Sequence, residues 1–192
     1  TQSTGHGGYT KTFGLDPDIF VIGKCVAGGL PTALWGLRPD LATRFATYNA
    51  TRPPAILEVH HTVANQLQFA ALLATLTQVA TPTALAKMER GAQRLATGLS
   101  CAIAAHGAPW HVVRVGARVE FICAPGPLRN GFEAARAHAP EVEAVTHLAL
   151  LNRGSLIAPF HNMMLVSPVT TRAQIDRLVA NFHAVLGMLF SK

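Results

Sequence analysis

The chain has 192 residues, 49% hydrophobic and 14% charged, which is the composition of a globular protein and excludes a disordered one. Its apolar runs are broken well before the roughly 18 residues that a membrane-spanning helix needs. The net charge of +6 comes from arginines scattered along the chain without interleaved aromatics, which argues against a nucleic-acid surface. No basic leader opens the chain and its three cysteines lack paired spacing, so a reducing cytoplasm is the expected location.

The first part of the chain is predicted to contain two strands and two helices after a loop of about a dozen residues. The strands are a buried segment, Ile19–Ile22, and a second segment at Thr32–Leu37. Pro39–Phe45 is predicted as a short helix, followed by a loop over 47–54. The helix expected over 64–79 is apolar on nearly all sides, which predicts burial against a sheet or another subunit.

The second part is predicted to form a complete small α+β domain. Thr81-Pro82 is a typical helix start, and apolar residues follow at helical spacing until Gly107. Thr171-x-x-Gln174 predicts a capping box at the start of the last helix. Between these helices the pattern predicts, in chain order, strands at 110–115 and 117–123, helices near 131–138 and 142–153, and short strands near 155–157 and 163–166. The fold class is mixed α/β, with a boundary near residue 80.

Lys24 stands directly after the first predicted strand and before a turn of small residues. Gly28, Gly29 and Pro31 break regular structure within a few positions. Apolar groups around the lysine would desolvate its amine, and a neutral amine is the form that attacks an aldehyde to give a Schiff base. The other three lysines lie in polar or helical contexts. The alternative interpretation is an ordinary surface lysine at a strand end.

Four short motifs around this lysine resemble those of a known enzyme family. They are Gly8-Gly-Tyr, Phe13-Gly-Leu-Asp-Pro-Asp18, Gly23-Lys24 and Gly28-Gly-Leu-Pro31. In this order they resemble the class III, pyridoxal-phosphate-dependent aminotransferases, in the branch of the glutamate-1-semialdehyde aminomutases and β-amino-acid aminotransferases. The resemblance runs through the whole chain but covers only the C-terminal half of such an enzyme.

The resemblance implies the fold-type I architecture of these enzymes. Residues 1–80 would be the C-terminal part of the large, cofactor-binding domain, and residues 81–192 would be the small α+β C-terminal domain. Lys24 matches the cofactor lysine, which implies an internal aldimine with pyridoxal 5′-phosphate and proton transfer between substrate and cofactor.

The resemblance also implies a phosphate site at Thr62, with His61 beside it, that serves the neighbouring subunit of a homodimer. A threonine just before a helix suits an anion. This chain departs from the family here, since His61 stands where glycine is usual and Gln66 where proline is common. The alternatives are an ordinary helix N-cap for Thr62 and a buried histidine for His61.

The expected substrate residues come from two loops. By resemblance, His6 and Tyr9 lie close to the active site. His161 and Asn162 stand where many family members place an arginine that binds the substrate carboxylate, and they could bind a carboxylate or carbonyl by hydrogen bonds. A plain connecting loop is the alternative there. No metal is expected, because the histidines lack a carboxylate or cysteine at ligand spacing.

The resemblance finally implies missing partners. The family's N-terminal half supplies the aspartate that keeps the cofactor's pyridine nitrogen protonated, and no residue of this chain before Lys24 corresponds to it. We therefore expect a transaminase or aminomutase fragment, inactive alone, that acts on a small amine, keto compound or amino acid once joined to its N-terminal half. A non-catalytic α/β interaction module that retains the scaffold is the alternative, motivated by the altered positions His61, Gln66 and Asn162.

Overall fold

The computed structural model describes residues 2–51, 65–159 and 161–190. The chain divides into two compact units, which we call the hairpin unit (Tyr9–Pro82) and the sheet unit (Thr1–Gly8 with Thr83–Lys192). Assignment of 1–80 and 81–192 to a large and a small domain stays a prediction. Among the described residues no single helix is long and apolar enough to span a membrane, and only the bent pair Gln66–Val79 and Pro82–Ala105 reaches that length and composition together.

The hairpin unit is built on two short antiparallel strands. The strands pair in the register Ile19↔Leu37 to Ile22↔Leu34. Its elements, in chain order, are α1 (Gly8–Thr12, which begins at the unit boundary), β1 (Ile19–Ile22), β2 (Leu34–Leu37), α2 (Pro39–Ala50), α3 (Gln66–Ala74) and a π-helical continuation (Thr75–Val79). The predicted bounds of β1 are confirmed, whereas α1 replaces part of the predicted opening loop.

The apolar side chains of β1 and α3, for which we predicted burial, are largely exposed in the described structure. Val21 of β1 is 70% exposed and Leu67 of α3 is 66% exposed. Both elements are apolar on opposite faces, so their burial requires a covering layer on each side. Among the described hydrophobic residues of this unit, only Val26 and Ala27 are buried. The described part of the unit therefore does not supply those layers.

Helix α2 is longer than predicted, and part of the predicted loop over 47–54 is helical. The hydroxyl of Thr43 donates to the carbonyl of Pro39 and that of Thr47 donates to the carbonyl of Thr43, both at 2.9 Å. These bonds to carbonyls of the preceding turn satisfy the threonine hydroxyls inside the helix, so the helix can continue through both residues. Strand β2, in turn, is shorter than the predicted Thr32–Leu37.

The sheet unit packs long helices against a three-stranded antiparallel sheet. The strand order is β3-β4-β5. Its elements after the short 3₁₀ turn Gln2–Thr4 are α4 (Pro82–Ala105), β3 (His111–Val115), β4 (Arg118–Ile122), α5 (Gly131–Arg136), α6 (Pro140–Asn152), β5 (Met163–Leu165) and α7 (Arg172–Phe190). The type and order of these strands and helices from α4 to α7 were predicted correctly. One further strand was predicted near 155–157, and the structure has no strand there.

The core of this unit centres on aromatic side chains from the sheet and α7. Phe121 of β4 and Phe182 of α7 are fully buried, with ring centroids 4.9 Å apart. Trp110 stacks on Phe121 at 5.8 Å. Helix α4 contributes Leu95 and Leu99, which the periodicity placed on its buried face. The capping box before α7 is confirmed by reciprocal bonds between Thr171 and Gln174.

The first residues of the chain form a strap on the sheet unit. The carbonyl of Ser3 accepts a hydrogen bond from the backbone N–H of Ala117 at 2.8 Å, and Thr4 is buried. Gly116 has a left-handed backbone with φ of +59°, and a Cβ at this position would overlap the backbone of Ser3. Glycine at 116 therefore permits the close approach of the strap.

Candidate active site

Lys24 lies where β1 ends and a 3₁₀ turn, Lys24–Ala27, begins. Its backbone is left-handed, with φ of +59°. This conformation is uncommon for a residue with a side chain and is sterically unfavourable for it. The last two side chains of this turn, Val26 and Ala27, are 1% exposed each and anchor the turn. The lysine is thus held in a strained conformation by buried neighbours.

The glycine-rich stretch after Lys24 is held against α3 and its π-helical continuation. Gly28 closes the 3₁₀ turn in a left-handed conformation, and its N–H donates to the carbonyl of Cys25 at 3.0 Å. A Cβ on Gly28 would lie 3.0 Å from Thr75 Oγ1. The side-chain amide of Gln68 donates to the carbonyl of Pro31 at 2.7 Å. Two contacts therefore fix the loop that follows Lys24.

The sequence did not single out Gln68 or Thr75 as supports of this turn. Gln68 also closes a capping box with Asn65, in which each side chain bonds the other's backbone N–H at 2.8–2.9 Å. The Asn65-x-x-Gln68 spacing is a signal that sequence inspection can find. The contact of Thr75 with Gly28 depends on tertiary packing, and no local signal predicts it.

The side chain of Lys24, for which we predicted desolvation, is exposed in the described structure. The apolar residues that should surround it, such as Phe20 and Val21 of β1, are themselves 41% and 70% exposed. An apolar strand desolvates a neighbouring amine only where other layers cover both. The amine of Lys24 is therefore open to solvent and accessible to a reactant.

The other predicted site residues fall in both units or outside the described residues. Tyr9 is 40% exposed in the hairpin unit, with its ring 4.2 Å from that of Phe13. His6 is exposed in the sheet unit. Thr62 and His61 lie outside the described residues. The described structure thus places Lys24 and Tyr9 in one unit and the remaining described site residues in the other.

The predicted substrate loop at His161 and Asn162 has an unusual backbone. Both residues are left-handed, with φ of +57° and +46°. Asn162 is 5% exposed, and its side-chain amide donates to the carbonyl of Phe121 at 3.3 Å. His161, by contrast, is exposed. Asn162 therefore has a clear structural contact to the sheet, and His161 is the accessible member of the pair.

Comparison with solved structures defines the class of the fold. A glutamate-1-semialdehyde aminomutase from Pseudomonas aeruginosa PAO1, solved in complex with PMP, matches with a TM-score of 0.90 and 40% identity over 97% of this chain and 42% of that one. A β-phenylalanine aminotransferase from Variovorax paradoxus matches with a TM-score of 0.81 and 27% identity over 98% and 42%. The fold is that of the fold-type I, pyridoxal-phosphate-dependent aminotransferases.

Sequence comparison then identifies the relatives more narrowly. A glutamate-1-semialdehyde 2,1-aminomutase from Sorangium cellulosum (strain So ce56) is 31% identical over 182 residues, which are 94% of this chain and 40% of that protein. No family model matches the chain. The homologues of this chain are glutamate-1-semialdehyde 2,1-aminomutases and class III transaminases, as the motifs around Lys24 predicted. The chain spans about two fifths of the length of these relatives.

Proposed function

We propose that the chain is the C-terminal part of a pyridoxal-phosphate-dependent transaminase or aminomutase and that Lys24 holds the cofactor. The observation that carries the proposal is the turn around Lys24, where an exposed side chain extends from a strained, anchored backbone at the end of β1. Strained residues cluster at functional sites. The homologous aminomutases and aminotransferases support the class of reaction.

The residues of the turn fit such a cofactor. Lys24 forms no ion pair with any other described residue, so its amine is accessible to the aldehyde of pyridoxal phosphate. When bound, the cofactor supplies an electron sink for chemistry at the substrate carbon. In this proposal Lys24 Nζ would hold the cofactor, and the same amine, when not bonded to the cofactor, would remove and return the proton at the substrate carbon.

Two further components would complete the site. The chain spans about two fifths of the length of its relatives, and the apolar side chains of β1 and α3 are exposed. We assign the cover of these side chains to the N-terminal part of the same enzyme and to the second subunit of a homodimer. Thr62 and His61 would bind the cofactor phosphate of the neighbouring subunit.

The substrate in this proposal is a small amine, keto compound or amino acid. His6, Tyr9 and His161 are exposed and are the candidate substrate contacts. Asn162 is a weaker candidate than His161 because its amide bonds the carbonyl of Phe121 within the sheet unit.

The test compares the parent protein with Lys24→Ala, each with the N-terminal part supplied in the same chain or as a second polypeptide. After incubation with pyridoxal phosphate and reduction with borohydride, the peptide of the parent protein that contains Lys24 should carry the reduced cofactor adduct, with water lost on condensation and two hydrogens gained on reduction. Lys87→Ala is the matched control and should be labelled like the parent. An undiminished adduct in Lys24→Ala would show that another residue holds the cofactor.

A non-catalytic interaction module that retains the scaffold is the second candidate. It is favoured by the structural engagement of Asn162 and by the absence of an arginine from the sequence segment 158–163. This candidate predicts no reducible cofactor adduct and no amine exchange in the completed assembly. The borohydride experiment therefore separates the two functions.

A further inference from the structure

Two histidines from different helices meet on the sheet unit. His106 directly follows the last residue of α4, and His183 lies in α7. His106 Nε2 and His183 Nδ1 are 3.1 Å apart, and the rings meet edge to face with centroids 4.4 Å apart. His183 is exposed and His106 is partly exposed, so both rings can be reached from solvent.

The distance between the two nitrogens suits a shared metal ion. Imidazole nitrogens bind Zn²⁺ at about 2.0–2.1 Å. Two such nitrogens in neighbouring coordination positions, at an angle of about 90–110° at the metal, lie roughly 2.9–3.4 Å apart. The observed 3.1 Å falls within this interval. The two helices therefore hold the nitrogens, which share a hydrogen bond, at a spacing that two ligands of one divalent cation can also adopt.

The surroundings of the two histidines favour a bound cation and limit the movement of the His106 ring. The backbone N–H of His106 donates to the carbonyl of Ala102, so the histidine sits at the C-terminal end of α4, where the helix dipole attracts positive charge. A Cβ on Gly187 would lie 3.3 Å from His106 Cε1. The His106 ring thus rests on the backbone of α7, one turn beyond His183. No basic residue lies in the last turn of α4 to repel a cation.

We propose that His106 and His183 form a two-histidine site for a divalent transition-metal ion of the Zn²⁺ or Ni²⁺ class. When the ion binds, the imidazole that donates the present hydrogen bond shifts that proton to its other nitrogen through solvent. Both rings stay neutral and no net proton is released. Within the described residues no group of three His, Cys, Asp or Glu side chains is placed to hold a metal, so water fills the remaining positions and the ion is exchangeable.

The experiment measures Ni²⁺ binding to the full, untagged chain by equilibrium dialysis at neutral pH. His106→Ala and His183→Ala should each lower the affinity of one Ni²⁺ equivalent about tenfold or more, and the double variant should lose no more than either single variant, because the two ligands act as one chelate. His138→Ala, which removes another exposed histidine of the same unit, is the control and should bind like the parent.

His183→Phe tests the ligand role separately from ring packing, because it retains an aromatic ring without a nitrogen. If His183→Phe keeps the circular dichroism spectrum and loses the same Ni²⁺ equivalent, the site is supported. If either folded single variant binds Ni²⁺ with the affinity and stoichiometry of the parent, the proposal is wrong. Losses that simply add in the double variant would also overturn it, because they indicate two independent histidines.

Discussion

Lys24 and Asn162 both hold a left-handed backbone conformation, but for different reasons. Asn162 is buried and its amide reaches the carbonyl of Phe121, so tertiary packing offsets its strain. Lys24 has an exposed side chain and no comparable contact with any residue that the structure describes. Its strain, of about 1–3 kcal/mol by the usual scale, is maintained by the buried residues Val26 and Ala27. Lys24 is the leading functional candidate because it combines a strained backbone with an exposed side chain.

The thiol of Cys123 is predicted to be unreactive in the folded chain. Burial, together with the negative charge of Glu143, raises the pKa of Cys123 to about 12. Because the thiolate is the reactive form, a raised pKa keeps the thiol unreactive at mildly basic pH. At about pH 8 the thiolate fraction should be roughly 1,000-fold below that of an ordinary thiol. Alkylation by iodoacetamide, followed by mass spectrometry, should modify the exposed Cys101 long before Cys123.

Denaturation supplies the control for this prediction. In concentrated urea the cysteines should react at similar rates, since burial is lost. Equal rates for Cys101 and Cys123 in the folded chain would contradict the described burial of Cys123.

The packing of α4 on α7 depends on a glycine. A Cβ on Gly98 would lie 2.6 Å from Val179 Cγ2 and 2.9 Å from its Cγ1. Gly98→Ala should therefore destabilise the chain by about 1–3 kcal/mol, although alanine has the better helix propensity. Val179→Ala removes both clashing methyl groups and should restore part of the loss in the double variant. Urea unfolding measures both effects.

Gly131→Ala is the matched control for that substitution. A Cβ there meets no atom within 4 Å, so the change should be neutral or slightly stabilising. If Gly98→Ala were as well tolerated as Gly131→Ala, the contact between the two helices would be looser than the structure indicates.

A second link between the same helices responds to pH. Arg94 Nε donates to Asp176 Oδ1 at 2.6 Å, and this bond lowers the pKa of Asp176, with a smaller contribution from Arg172. Because the folded pKa lies below the unfolded one, the pair stabilises above the unfolded pKa and is lost as pH falls through the folded value. Asp176→Asn should lower the urea midpoint at about pH 6, and its difference from the parent should shrink as the pH falls below the ordinary aspartate pKa.

The comparison variant for the acid titration is Glu141→Gln, which removes an exposed carboxylate from the same unit. The difference in urea midpoint between Glu141→Gln and the parent should not change with pH in this way. A constant difference between Asp176→Asn and the parent at every pH would argue against the ion pair as the cause.

Among the helices and strands, the sequence predicted those whose ends and buried faces are determined by neighbouring residues in the chain. Helix α4 follows from its start at Thr81-Pro82 and its apolar stripe, and α7 follows from its capping box. The end of α2 was missed because Thr47 belongs to a residue type common in loops, yet its hydroxyl bonds back to Thr43 in the helix. The exposure of β1 was not predicted, because burial of a strand depends on the layers that lie beside it.

The two units differ in how much of their apolar surface they cover. In the sheet unit Val119 and Phe121 of β4 are fully buried, whereas in the hairpin unit Ile19 and Val21 of β1 are 58% and 70% exposed. Backbone hydrogen bonds that lack buried apolar neighbours open easily. Hydrogen exchange should therefore replace the amides of β1 well before those of β4. Equal protection of the two strands would contradict this difference.

The candidate site could be predicted from the sequence only where its residues are contiguous. Lys24 and its glycine turn were identified because strand, lysine and turn follow one another in the chain. The support from Gln68 to Pro31 joins positions 37 residues apart and was not foreseen. Desolvation of Lys24 requires surfaces beyond the described residues, so no pattern around position 24 could settle it.

The strap at Ser3 constrains how the molecule is made. Its bond to Ala117 joins the first residues to a turn between β3 and β4 that the ribosome delivers more than a hundred residues later. The whole hairpin unit is synthesised in between. The strap therefore stays unbound while the intervening chain is synthesised. Closing so long a loop carries an entropic cost that grows only slowly with the length of the loop. During synthesis, Ser3 therefore cannot make this bond until the turn at Ala117 has emerged.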